Sequence, residues 1–221
     1  MKDSFWFPIV FMLIMVIFFA GILAVMYRTS ESKIQDYQID TYQRTVLKTL
    51  AAKISEASGQ SRAEILANYP MSYERYVQEL FLDGFERRVF QAIVAGEVVA
   101  YCFEIKGNGL WGTMQALVST STDFRTILVF DIVDQKETPG LGARIQEEWF
   151  LQQFYNRLFV SNPESPTDVT QNYEFIAETQ SPETDQQLRR ITGATITSDS
   201  VLKMLKHELN YIYNNMRTKE L

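Results

Sequence analysis

The sequence predicts an α+β domain, an antiparallel sheet with flanking helices, behind one N-terminal transmembrane helix. Three observations lead there. From Phe5 to Tyr27, about 23 residues carry no charge, enough to cross a bilayer as a helix. Between residues 86 and 134 the apolar period becomes two. After Ser198 it returns to helical spacing. The resulting partition is an anchor at 1–30, a helical linker region packing on the domain at 31–85, and the domain itself at 86–221.

Trp6 and Tyr27 bracket the apolar span as interfacial aromatics do, and Pro8 falls in its first turns, where proline is tolerated. A cleaved signal peptide would show a basic leader, a shorter core and a small-x-small cleavage site. Here Lys2 is offset by Asp3, and "ILAVMYRTSES" has no good cleavage site. The span reads as an uncleaved anchor in membrane lipid. Lys2 on one side against Arg28 and Lys33 on the other leaves orientation undecided by charge.

Residues 31–57 read as an amphipathic helix, with Ile34, Tyr37, Tyr42, Val46, Leu47, Leu50 and Ile54 at helical spacing. "SGQSRAEILANYPMSYERY" reads as loop and short helix. "RRVFQAIVAGEVVAYCFEIKGNG" predicts a hairpin around Ala95-Gly96-Glu97. "TMQALVSTS" and "RTILVFDIVD" predict two more strands turning at Thr122-Asp123. "ARIQEEWFLQQFYNRLF" predicts one amphipathic helix with Ile145, Trp149, Phe150 and Phe154 on a face. "NPESPTD" reads as a loop, "YEFIAET" and "QQLRRI" as strands. "SDSVLKMLKHELNYIYNNM" predicts the last helix, its buried side lined by Val201, Leu202, Leu205, Leu209 and Ile212.

Composition excludes several chemistries. A net charge of −6 argues against a nucleic-acid partner. One cysteine, Cys102 in an apolar strand, permits neither an intrachain disulfide nor a cysteine zinc site, and reads as a buried structural thiol. One histidine, His207 on the outer side of the last helix, leaves no triad, zinc site or haem ligation. No catalytic residue and no metal ligand set is expected.

What remains is "GNGLWGTM" (Gly107–Met114), "ETPGLGA" (Glu137–Ala143) and the hydroxyl run Thr192, Gly193, Ala194, Thr195, Ile196, Thr197, Ser198 entering the last helix. The glycines suit turns and close backbone approach. "GLG" is no dinucleotide fingerprint, lacking a third glycine and a βαβ setting. Thr197 or Ser198 is expected to cap the helix. Gly193-Ala194 would let a bulky group reach the Thr195 hydroxyl, where the helix start suits a phosphate and Arg189 and Arg190 would add charge compensation. Thr195 then reads as an attachment point filled by another enzyme.

"TGAT" followed by "ITS", with "ETPGLG" upstream and one membrane helix before both, resembles the covalent-FMN subunits of two related membrane complexes. These are the C subunit of the sodium-translocating NADH:quinone oxidoreductase and the G subunit of the Rnf electron-transport complex. The resemblance implies that residues 86–221 bind FMN, joined to Thr195 through a phosphoester by a flavin transferase. It implies a flavin site containing Thr192, Gly193, Ala194, Thr197 and Ser198, with Leu110 and Trp111 packing on the ring. Glu137, Leu141 and the backbone of Thr138, Gly140 and Gly142 would lie at its edge. It further implies electron transfer with neighbouring subunits, coupled to sodium transport and quinone reduction, and a domain outside the bacterial cytoplasmic membrane. "GNGLW" favours the quinone-reductase member. One departure stands out: Arg189 occupies a position where Asp is usual, the nearest acid being Asp185. The remaining alternatives are the Rnf member, an FMN domain serving outside either complex, and an anchored binding or regulatory module without flavin.

Overall fold

The computed structural model describes residues 6–165 and 170–218. Lys2, Asp3 and Phe5 at the start of the expected anchor, and part of the expected "NPESPTD" loop, lie outside the described residues. The chain divides into two units, 1–42 and 43–221.

Helix α1 spans Trp6–Ser58, 53 residues, and contributes to both units. Its N-terminal portion is long and apolar enough to cross a membrane, with a mean hydropathy of 3.1 in the most apolar window. The expected linker helix is therefore the continuation of the apolar one. Arg28-Thr29-Ser30-Glu31 contains no helix breaker, so the period runs through without a stop. The apolar positions expected on one face divide in two. Ile34 and Tyr37 are exposed, whereas Val46, Leu47, Leu50 and Ile54 are buried.

In the second unit α2 (Arg62–Ala67) and α3 (Met71–Tyr76) follow. Ser61 caps α2 by accepting the Glu64 N–H at 3.2 Å. Six strands then form one antiparallel sheet in chain order: β1 (Val77–Leu80), β2 (Val89–Val94), β3 (Glu97–Asn108), β4 (Thr113–Thr120), β5 (Thr126–Asp134) and β6 (Arg157–Leu158). The β2–β3 hairpin turns at Ala95-Gly96, as expected, with φ of 54° and 88°, the doubly left-handed turn that matches strand twist. β1 was not foreseen; four residues following a helix give too short a pattern.

Two helices cover the sheet. α5 (Thr195–Met216) lies on one face, where Val201, Leu205, Leu209 and Ile212 join Phe103, Ile105, Met114 and Phe130 in the main core. On strand positions of opposite parity, Cys102, Ser119 and Asp131 meet α1 residues 48 and 49. The Thr49 hydroxyl donates to Cys102 Sγ at 3.3 Å, Ser119 Oγ donates to the Thr49 carbonyl at 2.9 Å, and Lys48 pairs with Asp131 at 2.7 Å. Burial pushes the Cys102 thiol up to about 12, so it is structural, as expected.

The single helix expected over 143–159 does not form. A 3₁₀ turn (Gly142–Gln146) is followed by extended Glu147 (φ −67°, ψ 139°). Then come α4 (Glu148–Leu151), a second 3₁₀ turn and β6. Ile145 and Phe150 are five apart, about 140° apart on an unbroken helix. The break at Glu147 lets both reach the core, leaving Trp149 half-buried. β7 (Glu174–Ile176) and β8 (Gln187–Arg189) fall where strands were expected but pair in parallel, apart from the main sheet.

Candidate flavin site

Three loops converge on a cleft of about 390 Å³. The β3–β4 turn supplies Leu110 and Trp111, closed by Gly109 N–H donating to the Gly112 carbonyl at 2.7 Å. The loop after β5 supplies Glu137, Thr138, Leu141 and Gly142. The entry to α5 supplies Gly193, Ala194, Thr195, Ile196 and Thr197. These segments are far apart in the chain, and the antiparallel order of β3, β4 and β5 brings the first two together at one sheet end. The walls are largely apolar. Leu110, Trp111, Leu141 and Ile196 all present exposed surface, 68% for Trp111. An apolar cleft with a few converging polar groups is the ordinary form of a cofactor site.

Glu137 lies at the junction of the three loops and is 5% exposed. One carboxylate oxygen accepts the Trp111 N–H at 2.9 Å, the other the Thr197 hydroxyl at 2.6 Å. A Cβ on Gly109 would overlap its Oε1, and one on Gly142 would lie 2.8 Å from its Oε2. These two glycines are set by the close approach of the carboxylate.

The hydroxyl cluster separates cleanly. Thr195 is exposed, lines the cleft and is the first residue of α5. The first helical bond runs from Ser198 N–H to the Ala194 carbonyl at 2.9 Å, so the amides of the first turn point ahead of the ladder. Thr197 and Ser198 are buried. The expected cap by one of them does not occur: the helix starts earlier than expected and Ala194 stands at the cap position without a side-chain bond. Thr197 is engaged by Glu137. Ser198 donates to the Ala194 carbonyl at 3.0 Å and accepts the Ile191 N–H at 3.1 Å, which orders the loop below the helix. It does not line the cleft, nor does Gly140, the exposed loop tip at φ 75°.

Thr192 faces elsewhere. It shares a shallow surface depression with Arg144, Trp149, Glu178, Thr179 and Arg189. Glu178 accepts the Thr192 N–H at 2.7 Å and pairs with Arg144 at 2.6 Å. Hydrogen bonds from Arg144, then from the Thr192 backbone, hold the Glu178 carboxyl down at about 2. Glu147 is held below its usual range by Arg144 and Trp149. The Arg189 guanidinium lies 5.2 Å from the Trp149 ring centre, and Arg190 reaches Phe175 O at 3.3 Å. Neither arginine lines the cleft, contrary to the expectation that they would compensate a phosphate on Thr195. Ile196, Glu178 and Arg144 were missed. Only Ile196 had a legible signal, its place beside Thr195. His207 is exposed on α5, as expected, 3.1 Å from Glu208. Among the described residues no group of three His, Cys, Asp or Glu is placed to hold a metal.

Residues 109–210, which carry all three loops, match the FMN-binding domain family. The chain is 35% identical over 118 residues to the G subunit of the ion-translocating oxidoreductase complex of Methanosarcina acetivorans, 53% of this chain and 54% of that one. It is 31% identical over 98 residues to the C subunit of the Na(+)-translocating NADH-quinone reductase of Vibrio vulnificus, 44% of this chain and 36% of that one. The matches thus span about half and about a third of those relatives. In architecture the chain is similar to the crystal structure of the corresponding reductase C subunit from Parabacteroides distasonis, with a TM-score of 0.54, 22% identity, and coverage of 85% and 98%. That likeness bears on the fold alone.

Proposed function

We propose that this chain is the FMN-carrying, membrane-anchored electron-transfer subunit of an ion-translocating oxidoreductase complex, with FMN joined covalently to Thr195. One observation carries the reading: of the four hydroxyls in the TGATITS run, Thr195 alone is both exposed and part of the cleft, at the positive end of a 22-residue helix. The residues fit the group. The first-turn amides of α5 would hold the phosphate, Leu110, Trp111, Leu141 and Ile196 would cover the ring, and Thr138 and Gly142 would meet its edge. FMN, when bound, supplies the one- and two-electron redox chemistry. The protein attaches and orients it, and excludes water from one face.

The quinone-reductase reading rests on the sequence pattern Gly107, Gly109, Leu110 and Trp111, of which Leu110 and Trp111 line the cleft, and implies sodium-coupled quinone reduction. An Rnf-type reading is favoured by the higher identity and wider match to the Methanosarcina relative. Either reading requires a flavin transferase, neighbouring membrane subunits and a domain on the extracytoplasmic side. Protein purified from its native membrane should fluoresce on a denaturing gel under ultraviolet light, and mass spectrometry should place FMN on the peptide containing Thr195. Unmodified Thr195 throughout such a preparation would sink the proposal. The chains that co-purify separate the two complexes.

A further inference from the structure

We propose that Glu137 is a positioning residue: its carboxylate presets the Trp111 turn and the first turn of α5 against each other, building the cleft before any cofactor enters. The proposal rests on the preceding reading only for its consequence and its second measurement; the first is independent of it. Three observations converge on it. First, both carboxylate oxygens are already used within the protein, one by a backbone N–H of the β3–β4 turn and one by a hydroxyl of α5. The residue is buried and makes no ion pair among the described residues, so nothing but these two donors and the nearby helix start offsets its charge. Second, the chain makes room for it twice, at Gly109 and Gly142, where any Cβ would meet the carboxylate. Third, the two bonds act where aim matters. Fixing the Trp111 N–H fixes the backbone from which the indole and Leu110 project. Thr197 lies two residues beyond Thr195, about 200° round the helix. Holding Thr197 inward therefore turns Thr195 outward.

The role needs an acceptor for the Trp111 N–H and a partner for Thr197, and glutamine supplies both: its carbonyl accepts, and its NH₂ donates to a Thr197 hydroxyl turned to accept. Alanine supplies neither. Amide hydrogen exchange on the full chain in detergent reads the bond directly. In Glu137→Ala the Trp111 amide should exchange roughly tenfold faster, from loss of a hydrogen bond to a charged acceptor. In Glu137→Gln its protection should persist. Gly109→Ala, which displaces the carboxylate without removing it, should reproduce the acceleration, and it decides the matter if Glu137→Ala does not fold. In the two Glu137 variants the Gly109 N–H, bonded to the Gly112 carbonyl within the same turn, serves as the internal control. A second measurement uses protein bearing flavin. The visible circular dichroism of the flavin should fall toward that of free FMN in Glu137→Ala and recover in Glu137→Gln. Unchanged Trp111 protection in Glu137→Ala, exchange in Glu137→Gln as fast as in Glu137→Ala, or flavin dichroism indifferent to both changes would each overturn the proposal. The exchange measurement needs no flavin on Thr195, so failure of the attachment proposal leaves it readable.

Discussion

The run from Ile191 to Thr197 is braced by a carboxylate on each side, and the two braces are built differently. On the cleft side Glu137 is buried and bonds an N–H and a hydroxyl, with no ion pair among the described residues. On the outer side Glu178 bonds the Thr192 N–H but is also gripped by Arg144, with both side chains about a quarter exposed. The contrast teaches that one motif can be held by desolvated hydrogen bonding and by screened ion pairing at once. Only the first leaves a wall clear of cations. The cleft side also carries the exposed Thr195, the outer side the exposed Thr192, so the chain tests its own two hydroxyls against each other.

The largest expected effect comes from exchanging those hydroxyls. Thr195→Ala should abolish covalent flavin entirely, while Thr192→Ala keeps it, read by in-gel fluorescence with total protein as the reference. Equal labelling of the two variants would erase the distinction between the sides.

Next comes the stability of the braces. Glu137→Ala strands a part-buried N–H and a buried hydroxyl and opens buried space, so it should cost about 2 kcal/mol, seen as a lower melting temperature. Glu178→Ala leaves groups that water can reach and should lower the melting temperature less. A larger loss at Glu178 would show that the outer brace dominates.

Acid sharpens the comparison further. The folded Glu178 carboxyl lies at about 2, below its usual 4.5. A depressed carboxyl stabilises the fold above the usual range, and that stabilisation is lost as pH falls from about 4.5 toward 2. Protection of the Thr192 amide should decline through that window in the parent protein and be weak throughout it in Glu178→Ala, which removes the acceptor. A flat acid profile in the parent would remove the ion pair from the account.

The smallest effect is expected at Arg189. Its guanidinium sits by Trp149 on the outer side, so Arg189→Ala should alter tryptophan emission slightly and leave flavin attachment unchanged. Slower attachment would tie this departure from the family pattern to recognition by the transferase.

How much of this was legible in the sequence depends on range. The β2–β3 hairpin could be read because Ala95-Gly96 and two alternating runs are local signals. Val201, Leu205, Leu209 and Ile212 could be read because a helix repeats its face. The helix expected over 143–159 failed because apolar count does not reveal that Ile145 and Phe150 need a break at Glu147 to share a core. The three cleft segments were visible as motifs, but their meeting at Glu137 was not. Contact between residues 109, 137 and 197 is set by strand order and by the crossing of α5, and no local pattern encodes it. The cap was misplaced for the same reason: Thr197 and Ser198 look like caps until the distant partner of Thr197 is known.

Cys102 has a practical consequence. It is the only thiol in the chain, fully buried between α1 and the sheet, and pushed up to about 12. At neutral pH it offers alkylating reagents almost no thiolate and no path of approach. A cysteine introduced at an exposed position such as Ile196 or Thr192 would be the single reactive one, without first removing a native residue that helps seat the helix. Spin labels or fluorophores placed on either side of the loop would then report separately, in one and the same parent protein.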